Sequence, residues 1–232
     1  MKLPPLAFLG FLILFSGCAS VSVTGVKNHR EGGAEPARFY VADFETRGAQ
    51  WKITSRSRTA EQFKRERADA LAEELTKNIN ANLGPARRVG SSRVVPPDGW
   101  LITGRFIRVS EGNPAARIIV GLGAGGTKLE TETVVLDGTA GGAPILQFGT
   151  TGGSNAMPGM IMSSGPTGAV SNAVQQMNKG LKDDTKRTAR MITASLAEYM
   201  LQRGWIDRAR IKPKRPGQFQ LLQPQGIGRR TQ

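Results

Sequence analysis

Apolar residues recur every four positions along residues 59–83, the spacing that is typical of one face of an α-helix. The repeat consists of Leu71, Leu75, Ile79 and Leu83. Thr59 and Gln62 have the spacing of a capping box at the start of this stretch, and Gly84 and Pro85 favour an end after it. The pattern predicts a helix over Thr59–Leu83.

A second stretch of the same kind covers residues 183–203. Its apolar positions are Ala189, Ile192, Leu196, Tyr199 and Met200. Asp183 or Asp184 is expected to cap the helix, and Gly204 stands where a helix-ending glycine belongs. We predict a second long helix over Asp183–Arg203, with Trp205 folding back onto its last turn.

Runs of alternating or continuous apolar residues predict four to five strands. The segments are Arg38–Glu45, Trp100–Ser110, Arg117–Gly121, Leu129–Leu136 and Ile145–Phe148. In the second segment Trp100, Ile102 and Phe106 share one parity, and Leu101, Ile107 and Val109 share the other. Both faces of the first segment are apolar, which favours an interior strand. We therefore predict one α+β domain over residues 38–206, with a mainly antiparallel sheet of four to five strands and two long helices on one face.

Two segments lack this periodicity. Residues 149–181 are rich in Gly, Ser, Met and Asn, so we expect a loop there that contains at most a weak helix over Thr167–Asn178. Residues 207–232 carry many basic residues among prolines and glutamines, which is typical of a disordered tail that attracts anions.

The first twenty residues have the form of the start of an exported protein. Lys2 precedes an apolar run that ends at Phe15 and is too short to span a bilayer. Ser16 and Gly17 then precede the only cysteine, Cys18. This order resembles the lipobox of bacterial lipoproteins, although Phe15 stands where that pattern prefers leucine. In that class a diacylglyceryl group is attached to the cysteine thiol, the signal is cut just before it, and the new amino terminus is acylated.

The lipobox resemblance implies a signal peptide over residues 1–17 and a lipid on Cys18. The polar, Gly-rich residues 18–37 are then expected to be a tether. An ordinary signal peptide that is cut near Ala19 remains the alternative. Lipoproteins that stay at the inner membrane often carry Asp after the cysteine, so Ala19 favours the outer membrane, facing the periplasm.

The net charge of +14 bears on the choice of partner. In a cytosolic protein it would indicate nucleic acid. In an exported protein the expected anions are lipid headgroups or other envelope polymers. We therefore expect no nucleic-acid partner.

Candidate chemistry is sparse. A Ser or Cys nucleophile needs a base, usually His, and the only histidine, His29, lies in the predicted tether. Metal sites need clustered His, Cys or carboxylate residues, which the sequence does not show. Glu130 and Glu132 share one side of a predicted strand and could do paired acid–base work, but such carboxylates are more often solvent-facing. We expect no catalytic residue, no metal, no cofactor and no enzymatic activity.

The segment Gly121–Gly126 fits the G-x-G-x-x-G pattern of dinucleotide-binding folds. That pattern requires a following helix, whereas a strand pattern follows here. The glycines are therefore expected to connect two strands. The alternative is an anion-binding loop in which backbone N–H groups cradle the ligand. Its residues would be Gly121, Gly123, Gly125 and Gly126.

Several stretches in order carry a resemblance to a known family. They are Phe39–Phe44, Leu71–Leu75, Leu101–Phe106, Gly121–Gly125 followed by Leu129–Thr131, and the helix that ends at Gly204–Trp205. In these the chain resembles the bacterial lipoprotein family known as domain of unknown function family 4410. A more distant likeness is to small periplasmic lipoprotein domains that serve as accessory parts of envelope machines.

The resemblance implies an envelope lipoprotein without assigned chemistry. We therefore expect a membrane-anchored, non-enzymatic accessory that binds an envelope protein or polymer. The alternative is a binding module for an anionic ligand or glycan through the 121–126 loop.

Overall fold

The computed structural model describes residues 21–29, 34–113, 126–154 and 166–207, without the side chains of residues 154 and 166–179. Seven strands and two long helices lie within these ranges. The strands are β1 (Val21–Asn28), β2 (Arg38–Ala42), β3 (Gln50–Lys52), β4 (Ala86–Gly90), β5 (Gly99–Ser110), β6 (Thr127–Asp137) and β7 (Ala143–Ser154). The helices are α1 (Ala60–Asn82) and α2 (Pro166–Gln202).

The described strands form one mixed sheet with the order β1-β7-β6-β5-β2-β4, and β3 pairs with β5. Neighbours in the series β1, β7, β6 and β5 pair antiparallel, whereas β2 pairs parallel with both β4 and β5. The α+β class is confirmed. The predicted count of four to five strands and the mainly antiparallel arrangement are wrong, because the short strands β3 and β4 and the edge strand β1 lack an apolar pattern.

β1 lies inside the range that the sequence assigns to a tether. It pairs with β7, with Val21 level with Gly152 and Asn28 level with Leu146. Most of its side chains are exposed. This strand is therefore held by backbone pairing to the edge of β7 rather than by an apolar face. For that reason the hydrophobic pattern of the sequence does not predict it.

α1 begins as the sequence predicts. The N–H of Gln62 donates to Thr59 Oγ1 at 3.2 Å, and the N–H of Thr59 donates to the Gln62 side chain at 2.9 Å. Leu71, Leu75 and Ile79 are fully buried. Burial of each such side chain stabilises the fold by about 2 kcal/mol.

α2 is one helix of 37 residues rather than a weak helix followed by a separate one. Asp183 and Asp184 therefore lie in its interior, and neither caps it. The prediction of a loop over 149–181 is wrong at both ends, because residues up to 154 belong to β7 and residues from 166 belong to α2. Residues 155–165 lie outside the described residues. Gly204 ends the helix with a φ of 70°, and the N–H of Trp205 donates back to the Met200 carbonyl at 3.1 Å, as predicted.

Both helices pack on one face of the sheet and on each other, as expected. Trp100 is fully buried at the centre of this core. Its ring lies edge-on to Phe39 at 5.9 Å and to Tyr199 at 5.7 Å. In the described part of the chain the opposite face has no helix and only a small apolar cluster around Tyr40 and Leu101.

A β-bulge in β5 changes the face on which several residues lie. The register with β6 shifts between Phe106 and Arg108, so Ile107 has no partner residue. Phe106 and Val109 both point into the core, although their parity placed them on opposite faces, and Ile107 is 40% exposed. The bulge also brings Arg105 and Arg108 onto the same, helix-free face.

Candidate functional site

The helix-free side of β1, β7, β6 and β5 carries a continuous set of polar side chains, which we call the polar face. Along β6, alternate residues such as Thr131 and Val135 are buried under the helices, and the residues between them point the other way. The strand register places them level with polar residues of the neighbouring strands. The polar face consists of Thr24, Lys27, Arg105, Arg108, Lys128, Glu130, Glu132, Gln147 and Thr151.

Glu132 lies at the centre of this face. Gln147 Nε2 donates to one of its carboxylate oxygens at 2.6 Å, and Arg105 Nε donates to the other at 2.7 Å. The bond from Gln147 contributes most to holding the pKa of Glu132 below its ordinary value, and Arg105 and Lys27 add to it, while burial opposes them. Glu132 is therefore a carboxylate at neutral pH.

Glu130 also faces cations. Its Oε1 lies 3.6 Å from Lys128 Nζ and 3.9 Å from Arg108 Nη1, and its side chain is 19% exposed. The two carboxylates that the sequence places on one side of a strand do share a face. A general acid must hold a proton near neutral pH, and the lowered pKa of Glu132 is the opposite of that requirement.

A shallow depression of about 390 Å³ opens on the polar face between β1, β6 and β7. Gly149 keeps it open, because a Cβ at this position would lie 2.9 Å from Thr24 Oγ1. Ile107 adds an exposed apolar group to its lining. The depression thus offers amide, carboxylate and hydroxyl groups around one apolar side chain.

A second cavity, which we call the arginine cleft, lies at the start of α1 and has a volume of about 460 Å³. The described residues that line it are Ser57, Arg58, Phe63, Glu66, Arg67, Leu181 and Lys182. Behind it Glu111, only 4% exposed, accepts hydrogen bonds from the N–H groups of Thr54 and Ser55 at 2.8 Å each and from Arg58 at 3.3 Å. This carboxylate ties the segment before α1 to the end of β5 and orients Arg58.

A buried polar cluster joins α2 to the start of β6. Asp184 is fully buried, accepts a hydrogen bond from Thr127 Oγ1 and pairs with Arg187 Nη2 at 2.5 Å. Gly126 directly precedes Thr127 in the chain. The cluster therefore anchors the point at which the Gly-rich segment joins the sheet.

Most residues that the sequence singles out lie outside the described residues. These are Cys18, Gly121, Gly123 and Gly125, together with the predicted strand over 117–121 and the tail from residue 208. The lipid attachment and the anion-binding loop therefore stay predictions. Of the four glycines only Gly126 is described, next to Thr127.

Within the described ranges, no group of three or more His, Cys, Asp or Glu residues is placed to hold a metal ion. No helix in this part of the chain is both long and apolar enough to cross a membrane.

Several residues of the polar face carry no signal in the sequence. Arg105 and Arg108 are three residues apart, which puts them on opposite faces of a regular strand, and only the bulge unites them. Lys27 lies in residues 18–37, which the sequence predicts to be a tether. The alternation around Glu130 and Glu132 is the one sequence signal that points to this surface.

These features define an α+β domain with one mixed sheet, a helical layer on one side and an open, ion-paired polar face on the other. The chain belongs to the family described as Domain of unknown function (DUF4410), whose sequence model matches residues 39–171. The resemblance drawn from the sequence is thereby confirmed for the domain.

Among solved structures, the chain is similar to PelC dodecamers from Paraburkholderia phytofirmans. A single-substitution variant of PelC is 11% identical with a TM-score of 0.31, over 72% of this chain and 96% of that chain. Another PelC dodecamer is 12% identical with a TM-score of 0.31, over 71% of this chain and 96% of that chain. No functionally curated protein matches the chain.

Proposed function

We propose that this protein is a lipid-anchored lipoprotein of the bacterial cell envelope, at the outer membrane facing the periplasm, and that its domain is a non-enzymatic binding module for a hydroxyl-bearing envelope polymer. The polar face is the observation that carries the binding proposal. The anchor rests on the lipobox-like Phe15–Cys18 segment.

The polar face suits a ligand that is rich in hydroxyl groups. Each hydroxyl both donates and accepts hydrogen bonds, so such a ligand needs donors and acceptors side by side. Glu132 supplies acceptors, Arg105 supplies donors and Gln147 supplies both, in one connected network. Four strands at a spacing of about 4.8 Å give a surface broad enough for several units of an extended polymer.

The same contacts favour binding over catalysis. Glu132 is held as an anion by Gln147 and Arg105, and Glu130 lies between Lys128 and Arg108. Groups that already satisfy one another present a preorganised surface, which lowers the cost of ordering side chains when a ligand binds.

The anchor in this proposal is close to the sheet. Cys18 and Val21, the first residue of β1, are three residues apart, a distance of at most about 11 Å along the chain. The end of the sheet that contains Val21 therefore lies nearest the membrane. Register places Ser110, Thr127 and Ser154 at this same end.

Membrane fractionation and intact mass of the native chain and of Cys18→Ala test the anchor. We expect native protein in the membrane fraction, with a mass that exceeds the cleaved chain by the lipid groups, and a loss of both in Cys18→Ala. A soluble native protein without added mass would refute the anchor.

Site-specific photo-crosslinking in living cells tests the polar face. The crosslinking residue is placed at the exposed Thr151 on the polar face and, as a matched control, at the exposed Lys77 on α1. We expect from Thr151 alone an adduct of heterogeneous mass that glycosidases shorten. An adduct of single mass that proteases remove would replace the polymer with a protein partner, and equal adducts from both positions would refute a role for this face.

A further inference from the structure

We propose that the arginine cleft is a binding site for a phosphate group, presented by a lipid headgroup of the membrane that carries the anchor. The choice of a lipid as the source rests on the proposed anchor. The phosphate chemistry itself rests on the charges and packing of the cleft.

The cleft has an excess of positive charge that its own carboxylates do not balance. Arg58 pairs with Glu66 and with Glu111. Arg67 Nη2 lies 4.0 Å from the Glu66 carboxylate, so the two arginines share that anion. Lys182, on the α2 side, has no carboxylate within ion-pair distance among the described residues. Arg67 and Lys182 therefore carry the unbalanced charge.

The guanidinium groups are also held in place before any ligand arrives. The ring of Phe63 is fully buried, and the Cζ atoms of Arg58 and Arg67 lie 5.0 and 5.6 Å from its centroid. Such cation–π contacts restrict both side chains, so little further ordering is needed on binding. Arg side chains in a restricted geometry are well suited to phosphate, which accepts two parallel hydrogen bonds from one guanidinium.

The two arginines repel each other at this short range. Burial lowers the pKa of Arg67 most, the nearby positive charge of Arg58 lowers it further, and Glu66 and Glu111 oppose both effects. Arg67 still remains a cation at neutral pH, because the ordinary pKa of an arginine lies far above neutrality. Glu66, which Arg58 and Arg67 share, offsets this repulsion only in part. An anion bound between Arg67 and Lys182 would offset it further.

The position of the cleft points to a lipid as the source of the phosphate. Lys52 of β3 is level with Ser110 of β5, and the chain then runs directly from β3 to Arg58. Ser110 is level with Lys128, at the end of the sheet that also contains Val21. The cleft and the proposed anchor therefore lie at the same end of the sheet, where headgroup phosphates would meet the protein surface.

Phosphorus-31 NMR titration tests the site on the full chain in a non-ionic detergent at constant ionic strength. The probes are dihexanoylphosphatidic acid and, separately, inorganic phosphate. The test variant is Arg67→Gln with Lys182→Gln. The matched control is Arg65→Gln with Arg190→Gln, which removes the same charge from exposed positions on the same two helices outside the cleft.

We expect the native chain and the matched control to bind the lipid equally, and the test variant to bind it at least roughly tenfold more weakly. Inorganic phosphate should bind the native chain roughly tenfold more weakly than the lipid. Lys182→Gln alone changes only an exposed side chain, so a loss of about threefold in this variant separates a binding effect from misfolding.

Equal weakening in the test variant and the matched control would overturn the proposal, because it would assign binding to the general positive charge of the chain. Equal affinity for lipid and inorganic phosphate would overturn the lipid source. The titration in detergent needs no anchor. Its failure would therefore leave the proposed function standing, whereas only the behaviour of Cys18→Ala bears on the anchor.

Discussion

Replacement of Asp184 by alanine should destabilise the domain more than most single changes. Asp184 is fully buried between α2 and β6, and its replacement removes the carboxylate that pairs with Arg187 and that accepts a hydrogen bond from Thr127 Oγ1. Loss of one partner from a buried ion pair costs about 3 kcal/mol at the lower end of the usual range. The lower value of this cost applies here, because the Arg187 side chain is 21% exposed and regains some hydration once Asp184 is removed. The loss of the hydrogen bond from Thr127 Oγ1 adds about 1 kcal/mol.

Urea unfolding followed by tryptophan fluorescence measures this loss. A change of about 4 kcal/mol in the free energy of unfolding, with a slope of about 2 kcal/mol/M, lowers the unfolding midpoint by about 2 M. Asp183→Ala is the matched control, since Asp183 is adjacent on the same helix and partly exposed. Its midpoint should stay within about 0.3 M of the native value.

A midpoint for Asp184→Ala that also stays within about 0.3 M of the native value would refute the reasoning. Addition of Arg187→Met to Asp184→Ala should recover part of the loss, because it removes the uncompensated charge. A further loss in this double variant would show that Arg187 stabilises the domain through packing rather than through its pairing with Asp184.

Three further predictions concern the two tyrosines, Glu132 and Gly104. Tyr40 donates a hydrogen bond to Asp98 at 2.6 Å and Tyr199 is buried, so both have a pKa above the ordinary 10.0. The stability that these neutral phenols contribute is present below pH 10.0 and is lost as the pH rises through the folded-state values. A phenolate absorbance midpoint at or below that pH in the folded protein would contradict this. For Glu132, whose pKa is lowered, the contribution is present above its unfolded-state pKa and is lost as the pH falls through the folded-state value. The difference in urea midpoint between native protein and Glu132→Gln should shrink on acidification, and a constant difference would be inconsistent with ionic pairing. Gly104→Ala should cost about 3 kcal/mol, since its Cβ would lie 2.2 Å from the Glu132 carbonyl oxygen, and an unchanged urea midpoint would count against this packing.

Local signals in the sequence predict the parts of the fold that local interactions determine. The capping box of Thr59 and Gln62 involves residues three apart, and it appears in the structure as expected. Gly204 likewise ends α2 through its own backbone conformation. These predictions succeed because the stabilising partners are neighbours in the chain.

Other elements depend on partners far away in the chain. β1 has few buried side chains and exists as a strand because β7, more than 100 residues later, pairs with its backbone. α2 continues through Gly180, which locally disfavours a helix, and Asp184 looked like a cap because Asp is common at helix starts. Packing of α2 against β6 and β7 keeps the helix continuous through Gly180, and it places Asp184 inside the helix rather than at its start.

The candidate sites divide in the same way. Glu130 and Glu132 share a face because strand alternation is a local property, so the sequence could place them together. Their cations could not be predicted, because Arg108 reaches this face only through a bulge. In the arginine cleft, Arg58 precedes α1 and Arg67 lies within it, whereas Lys182 comes from α2, so no local pattern indicates the cavity.

The polar face and the arginine cleft differ in how their charged groups are arranged, and we assign them different roles on that ground. On the polar face Glu132 accepts from Arg105 and Gln147, and Glu130 lies near Arg108 and Lys128, so donors and acceptors stand side by side and suit a hydroxyl-bearing ligand. In the cleft Arg58 and Arg67 share Glu66, and Lys182 has no carboxylate within ion-pair distance among the described residues, so the surface attracts anions. The cleft lies at the end of the sheet nearest the proposed anchor, while the polar face extends along the strands away from that end. A lipid on Cys18 and a phosphate in the cleft would then hold the same end of the domain at the membrane through two contacts, which together fix its orientation better than one lipidated residue alone. That orientation would leave the polar face open towards the space where an envelope polymer lies.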